Sequence, residues 1–141
     1  MLAAISLDGI LHLKVIKNAI TGDIFWQFIK GLLPCMNEWL LPNLVLVINN
    51  AAIHKVASIC ELVEGHGMCL IYLPSYSPDL NPIELAFLSI KAWLHANCAH
   101  INVDLETGNG NVYNAFWEAI HSVTVDDAKG WYNHCGYQDL P

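Results

Sequence analysis

Two apolar, β-branched runs dominate the middle of the chain, Leu44-Val45-Leu46-Val47-Ile48 and Met68–Leu73. Each is too short for a buried helix and has no polar break, which predicts strands buried on both faces. Between them, His54 to about Glu64 has helical spacing, with Gly65 or Gly67 available to close the helix. The segment therefore predicts a β-α-β unit.

The flanks extend this plan. Leu2–Leu7 and Ile10–Ile16 surround Asp8-Gly9, a hairpin signal. Thr21 can N-cap a helix, with Asp23 in its first turn. Phe25, Phe28, Ile29, Leu32 and Met36 then fall at helical spacing until Pro34 kinks the helix and Pro42-Asn43 ends the segment. After Leu73, Pro74–Asp79 reads as a stiff loop. Asn81-Pro82 starts another helix, with Asn at the cap and Pro at the first helical position. Its predicted buried stripe is Ile83, Phe87, Ile90 and Leu94, and Glu84, Leu88, Lys91 and His95 share another face. Asn97–Gly110 is polar and reads as turns. Two further helices are predicted near Asn111–His121 and Thr124–His134, with Val112, Phe116, Ile120 and Trp131 as core candidates. The order β-β-α-β-α-β-α followed by helices predicts a mixed α/β sheet flanked by helices, in one domain spanning 1–141.

Composition removes several function classes. Apolar residues make up 55% and charged residues 13% of the 141, which excludes a disordered chain. The longest apolar stretch, Phe25 to Ile48, is interrupted by Lys30, Pro34, Asn37, Glu38, Pro42 and Asn43, so no membrane span is expected. No basic region precedes an apolar run at Met1, and no signal peptide is expected. Net charge is −7, and none of the 6 basic residues is arginine. Nucleic-acid binders gather Lys and Arg to displace counterions, so this composition argues against strong DNA binding. The 5 cysteines are scattered without a CxxC pair and are expected as free, mostly buried thiols in a reducing compartment.

In an open α/β sheet, chemistry gathers at the carboxyl ends of the strands. That edge carries Asn49, Asn50 and His54 after one strand, and Pro74–Asn81 and then Glu84 after the next. Each has an ordinary structural role available. Glu84 stands three residues after Asn81 and can complete a capping box. His54 can start or pack a helix, and Asn49-Asn50 can end a strand in a turn. His95, Cys98 and His100 match no zinc spacing. The chain has neither a Gly-rich phosphate loop nor a nucleophile elbow.

Taken together, two segments are more specific. Val47-Ile48-Asn49-Asn50-Ala51-Ala52-Ile53-His54 resembles the "DNAxxH" strand end of mariner-type DDE transposases. The run from Leu73 through Pro74-Ser75-Tyr76-Ser77-Pro78-Asp79-Leu80-Asn81-Pro82-Ile83 to Glu84 resembles their "LPPYSPDLNPIE" signature. Between Asn49 and Glu84 lie 34 residues, a spacing this superfamily uses between its second and third acidic residues. Ala4–Ile10 and His134-Cys135-Gly136-Tyr137 are similar to fungal members. The resemblance implies a ribonuclease-H-like fold in which three carboxylates hold two divalent cations, Mg²⁺ or Mn²⁺, for in-line attack on a DNA phosphodiester. DNA is the implied partner and the nucleus the implied location. Glu84 matches the third acidic position, and Asp79, Asn81, Asn50 and His54 match neighbouring motif positions.

The chain departs from that pattern in two places. Asn49 stands at the second catalytic Asp, and a neutral amide is a poor substitute where Mg²⁺ sites rely on carboxylate charge. The first catalytic Asp belongs on a first strand upstream of the matched region, and Asp8 fits a hairpin turn instead. In the family's sheet order 3-2-1-4-5 that first strand is central. Without it the hairpin and the β-α-β pair lose their common neighbour. The expected outcome is direct closure of the gap or poor stability, with the unpaired edges available for self-association.

Three functional readings follow. One is a metal-dependent nuclease or strand-transfer domain. Another is a non-catalytic remnant of that domain, either functionless or retained as an interaction module. The third is an unrelated small α/β binding protein that carries the signature by coincidence. The absence of Arg, together with 5 Cys, 7 His, 5 Trp, Asn49 for Asp and Ser75 for Pro, fits cytosine-to-thymine decay of a transposon copy. These observations favour an inactive remnant.

Overall fold

The computed structural model describes residues 1–17, 19–37, 44–51, 57–106 and 112–137. The expected hairpin forms from β1 (Leu2–Ser6) and β2 (Gly9–Lys14), paired antiparallel with an irregularity between Ala4 and Ile5. Leu7 and Asp8 make the turn, and Gly9 follows at φ 111, a left-handed value that an L side chain would strain. The Ser6 Oγ accepts from the Asp8 N–H at 3.1 Å. Helix α1 (Gly22–Leu32) is capped as expected, with Thr21 Oγ1 accepting from Ile24 N–H at 3.4 Å. Pro34 ends it in a 3-10 turn, Leu33–Cys35. Strand β3 (Val45–Ile48), helix α2 (Ala57–Gly65) and β4 (Cys69–Tyr72) make the parallel β-α-β unit. Gly67, at φ 72, lets the chain turn back, so that Met68 N–H reaches the Val63 carbonyl at 3.2 Å.

Helix α3 (Pro82–Ala96) starts at Asn81, whose side chain accepts from Ile83 N–H at 3.3 Å. It is followed by α4 (Cys98–Glu106), α5 (Val112–His121) and α6 (Val125–His134). Thr124 and Asp127 form a capping box on α6. Their hydrogen bonds hold the Asp127 carboxyl below its usual range. Helix α4 corrects the expectation of turns across Asn97–Gly110 for Cys98–Glu106; residues 107–110 lie outside the described residues. It begins immediately beyond α3, with Ile101 N–H bound to the Asn97 carbonyl at 3.1 Å, so a polar sequence continues in helical form. On α5 and α6 the buried residues are Ala115, Ala119, Ile120 and Ala128, whereas Val112, expected in the core, is exposed. Small residues there let the helices approach α3 closely.

The hairpin lies between two layers. On one face, Leu2, Ala4 and Leu11 pack against a cluster that includes Phe25, Phe28, Ile29 and Leu32 of α1, Leu46 and Ile48 of β3, and Ile59 and Val63 of α2. On the other, Met1, Ile10 and Leu13 pack against Ile90 of α3 and Ala119 and Ile120 of α5. Strands β3 and β4 are covered on one face only. Leu46 and Ile48 are each 8% exposed, but Val45 is 40%, Val47 38% and Ile71 47% exposed. The apolar runs were expected to be buried on both faces; among the described residues no helix lies over the second face. The cysteines also differ from expectation. All are free, but only Cys135 is buried, Cys60 and Cys69 are half-buried, and Cys35 and Cys98 are exposed.

Among the described residues the two sheets are not joined: β1 pairs only with β2, and β3 only with β4. Their facing edges can be read from the bonding. Cys69 N–H donates to the Leu44 carbonyl at 3.0 Å, and Leu73 N–H to the Ile48 carbonyl at 2.8 Å. Backbone direction alternates along a strand, so Leu44, Leu46 and Ile48 face β4, and Val45 and Val47 turn their N–H and C=O the other way. On β1, Ser6 pairs with Gly9 at the turn, so Ile5 and Ala3 turn away from β2. Between these edges lies a cavity of about 420 Å³, walled by α1 on one side and by Ile83 and Phe87 of α3 on the other. The architecture is a mixed α/β, ribonuclease-H-like fragment without one strand. Of the two expected outcomes, direct closure or poor stability, direct closure is not seen, and side chains from both helix layers line the gap. Among the described residues, no helix is long and apolar enough to cross a membrane.

Helix α6 closes one end of this gap. The Tyr132 Oη donates to the Ile5 carbonyl at 2.8 Å. Burial, and then Tyr137 and Cys135 nearby, push the Tyr132 phenol up to about 12. Unfolded tyrosine loses its proton near pH ~10. Stability should therefore fall as pH rises from there to about 12, since the unfolded state deprotonates first. A Tyr132→Phe variant should lose roughly 1 kcal/mol at neutral pH and flatten this alkaline decline, as read from urea melts at a series of pH values. Ile59→Ala, at a fully buried position, should cost about 2–5 kcal/mol in the same assay. Val47→Ala, on the uncovered face, should cost well under half of that.

Candidate functional site

The carboxyl ends of β3 and β4 open onto a second cavity of about 380 Å³, lined by residues from Asn49–Ala51, the loop 73–78, Asn81 and Glu84. Asn49, Ala51, Asn81 and Glu84 also line the gap between the sheets, so the two cavities meet at these residues. Each reaches this point for a local reason. Asn49 follows the last residue of β3, and its Oδ1 accepts from Ala51 N–H at 3.4 Å, turning the chain outward. Asn50 Nδ2 donates to Ser75 Oγ at 3.0 Å, tying the end of β3 to the loop after β4. The Asn50 Oδ1 is buried and has no hydrogen-bond partner among the described residues. The loop itself is tightly turned, with Tyr76 fully exposed at φ 60.

Glu84 does not complete a capping box. The Asn81 N–H that such a box would use donates instead to the Pro78 carbonyl at 3.0 Å, within the 3-10 turn Pro78–Leu80. Asn81 alone caps α3, and Glu84 sits half-buried in the wall of both cavities, in the first turn of the helix.

The candidate residues thus separate into three groups. Asn49, Asn50, Asn81 and Glu84 come together at one cavity. Asp79 lies in the 3-10 turn, is exposed and lines neither cavity. Its charge acts on Cys135, whose thiol is pushed up first by burial and then by Asp79. His54 lies outside the described residues. Reading the sequence did not single out Tyr132, although it lines the gap and binds β1. Tyr137, noticed only within the C-terminal resemblance, lines the gap and donates from Oη to the Leu80 carbonyl at 2.9 Å. The only sequence signal for the pair is two tyrosines five residues apart at the end of an otherwise polar helix.

A family model described as DDE superfamily endonuclease matches residues 1–104, and the chain belongs to that family. No curated protein and no solved structure matches it. The match establishes a transposase-like nuclease domain, in a superfamily whose nucleases generally use divalent metals.

The donor set does not fit such metals. Among the described residues around the cavity, Glu84 is the sole carboxylate and the other candidates are neutral amides. No group of three His, Cys, Asp or Glu among the described residues is placed to hold an ion. Hard divalent cations draw their affinity from carboxylate charge, and two-metal chemistry needs several such groups. Millimolar Mn²⁺ should therefore leave the melting midpoint of the chain unchanged. Asn49→Asp places a second carboxylate at the cavity and should make Mn²⁺ stabilising by about 1.4 kcal/mol at tenfold excess over its Kd, a rise of about 5 °C by differential scanning calorimetry.

Proposed function

We propose that the chain is the catalytic domain of a mariner-type, fungal-like DDE transposase in a form that does not cleave DNA. The observation that carries this reading is the pairing of Asn49 with Glu84 at one cavity, a neutral amide beside the sole carboxylate that lines it among the described residues. In this reading Glu84 holds the third acidic position and Asn49 the second, with Asn50, His54, Asp79 and Asn81 as motif neighbours. The ancestral role is Mg²⁺- or Mn²⁺-dependent cleavage and transfer of DNA strands in the nucleus, leading to DNA integration. A net charge of −7 without arginine supports loss of DNA binding as well as of catalysis. The open gap between the sheets favours a second reading, a domain retained for protein contact.

Nicking of supercoiled plasmid in Mn²⁺ tests the proposal. The chain and its Asn49→Asp variant are both expected to leave the plasmid intact, since one added carboxylate still makes only two. Nicking by the unaltered chain that Glu84→Ala abolishes would overturn the inactive reading.

A further inference from the structure

We propose that Tyr137 is a positioning residue for Glu84. Its hydroxyl holds the peptide unit between Leu80 and Asn81 in the orientation that leaves the Glu84 carboxylate in the cavity wall rather than in a capping box. The proposal does not depend on any catalytic role of the domain.

Both sides of that peptide unit are engaged. Its N–H, from Asn81, donates to the Pro78 carbonyl at 3.0 Å, and its carbonyl, from Leu80, accepts from Tyr137 Oη at 2.9 Å. A planar peptide unit turns as one body, so a bond that fixes the carbonyl also fixes the direction of the N–H. The alternative is on view elsewhere in the chain. At α6 the cap residue Thr124 stands at φ −94 and ψ 165, and its N–H donates to the Asp127 carboxylate at 2.9 Å. At α3 the cap residue Asn81 stands at φ −113 and ψ 102. Glu84 occupies the place in α3 that Asp127 holds in α6, and glutamate is a residue type that closes such a box. The side chains therefore permit the box at α3, and the backbone at its cap withholds it.

Tyr137 is itself anchored. Gly136, at φ 89, reverses the chain after α6, and Tyr137 N–H returns to the Tyr132 carbonyl at 3.0 Å while Gly136 N–H reaches the Asn133 carbonyl at 3.1 Å. This is a Schellman ending, which commonly carries a side-chain contact between the residue after the glycine and the third-last helical residue. Here those residues are the two tyrosines, whose rings meet edge to face at 5.6 Å and 70°. Tyr132 is in turn bonded to the Ile5 carbonyl of β1. The Tyr137 hydroxyl thus reaches Leu80 from a fixed base. The family match ends at residue 104, so the group that sets Glu84 lies beyond the matched region.

Residue-resolved amide hydrogen exchange at Asn81, on the full chain, tests this. With Tyr137 present, Glu84→Ala should leave exchange at Asn81 unchanged. Tyr137→Phe keeps the ring and removes only the donor. The Leu80–Asn81 unit then turns, the Asn81 N–H passes to the Glu84 carboxylate, and adding Glu84→Ala should speed exchange there roughly fivefold, the effect of losing one ordinary hydrogen bond. Gly136→Ala strains the left-handed turn and displaces the tyrosine without altering it, and should introduce the same dependence on Glu84. Tyr132→Phe, which releases Ile5 from the same helix, should not. Exchange at Asn81 that ignores Glu84→Ala in the Tyr137→Phe background would overturn the proposal. So would a dependence on Glu84 already present in the unaltered chain, or one that Tyr132→Phe produces equally, which would make the effect a general loosening of α6.

Discussion

Helix α1 holds together two sheets that share no hydrogen bond among the described residues. Its apolar face, Phe25, Phe28, Ile29 and Leu32, packs in one cluster with side chains of the hairpin and with Leu46 and Ile48 of β3. Sheets ordinarily gain their cohesion from ladders between neighbouring strands, and here that ladder stops at β1 on one side and β3 on the other. Burial of one amphipathic helix across the discontinuity substitutes for it. The ring of His12 on β2 also leans on Phe28, with centroids 5.0 Å apart, directly over Gly31. A Cβ at Gly31 would stand 2.9 Å from the imidazole, so the glycine sets how closely the hairpin can settle on the helix. Partial burial and the nearby Lys14 lower the His12 pKa, which makes this seat less favourable as pH falls toward the ordinary histidine range and below.

Much of this was legible in the residues. The Thr21 cap, the Pro34 break, the Asn81-Pro82 start and the β-α-β order all depend on local backbone chemistry, which sequence carries directly. Burial on the second face of β3 was not legible. A run such as Val45-Leu46-Val47 has the same pattern whether or not a helix happens to cover it. The α4 segment was misjudged for a related reason. Its polar composition reads as loop, and its helix is a continuation seeded by the Asn97 turn rather than by an apolar stripe. At the candidate site, motif spacing brought Asn49 and Glu84 to one cavity on paper and the fold does so in space. The distinction between a capping Glu84 and one facing a cavity rested on a single N–H, that of Asn81, whose partner is the Pro78 carbonyl. No residue pattern announces that choice.

The site and the gap are one feature viewed from two directions. Asn49 and Glu84 lie where the cavity between the sheets meets the cavity at the strand ends. Whatever arranges the gap therefore also arranges the polar cluster. A loosened α1 or a shifted hairpin would alter both, while a change confined to the 73–78 loop would alter only the outer one. The buried Asn50 oxygen lies on this outer side, on a residue held to the loop by Ser75.

The bond between Tyr132 and Ile5 joins residues 127 positions apart. During synthesis the hairpin emerges well before α6, so β1 waits without the tyrosine that seals its end. Long-range contacts of this kind slow folding, and an unpaired edge is a template for misassembly while it waits.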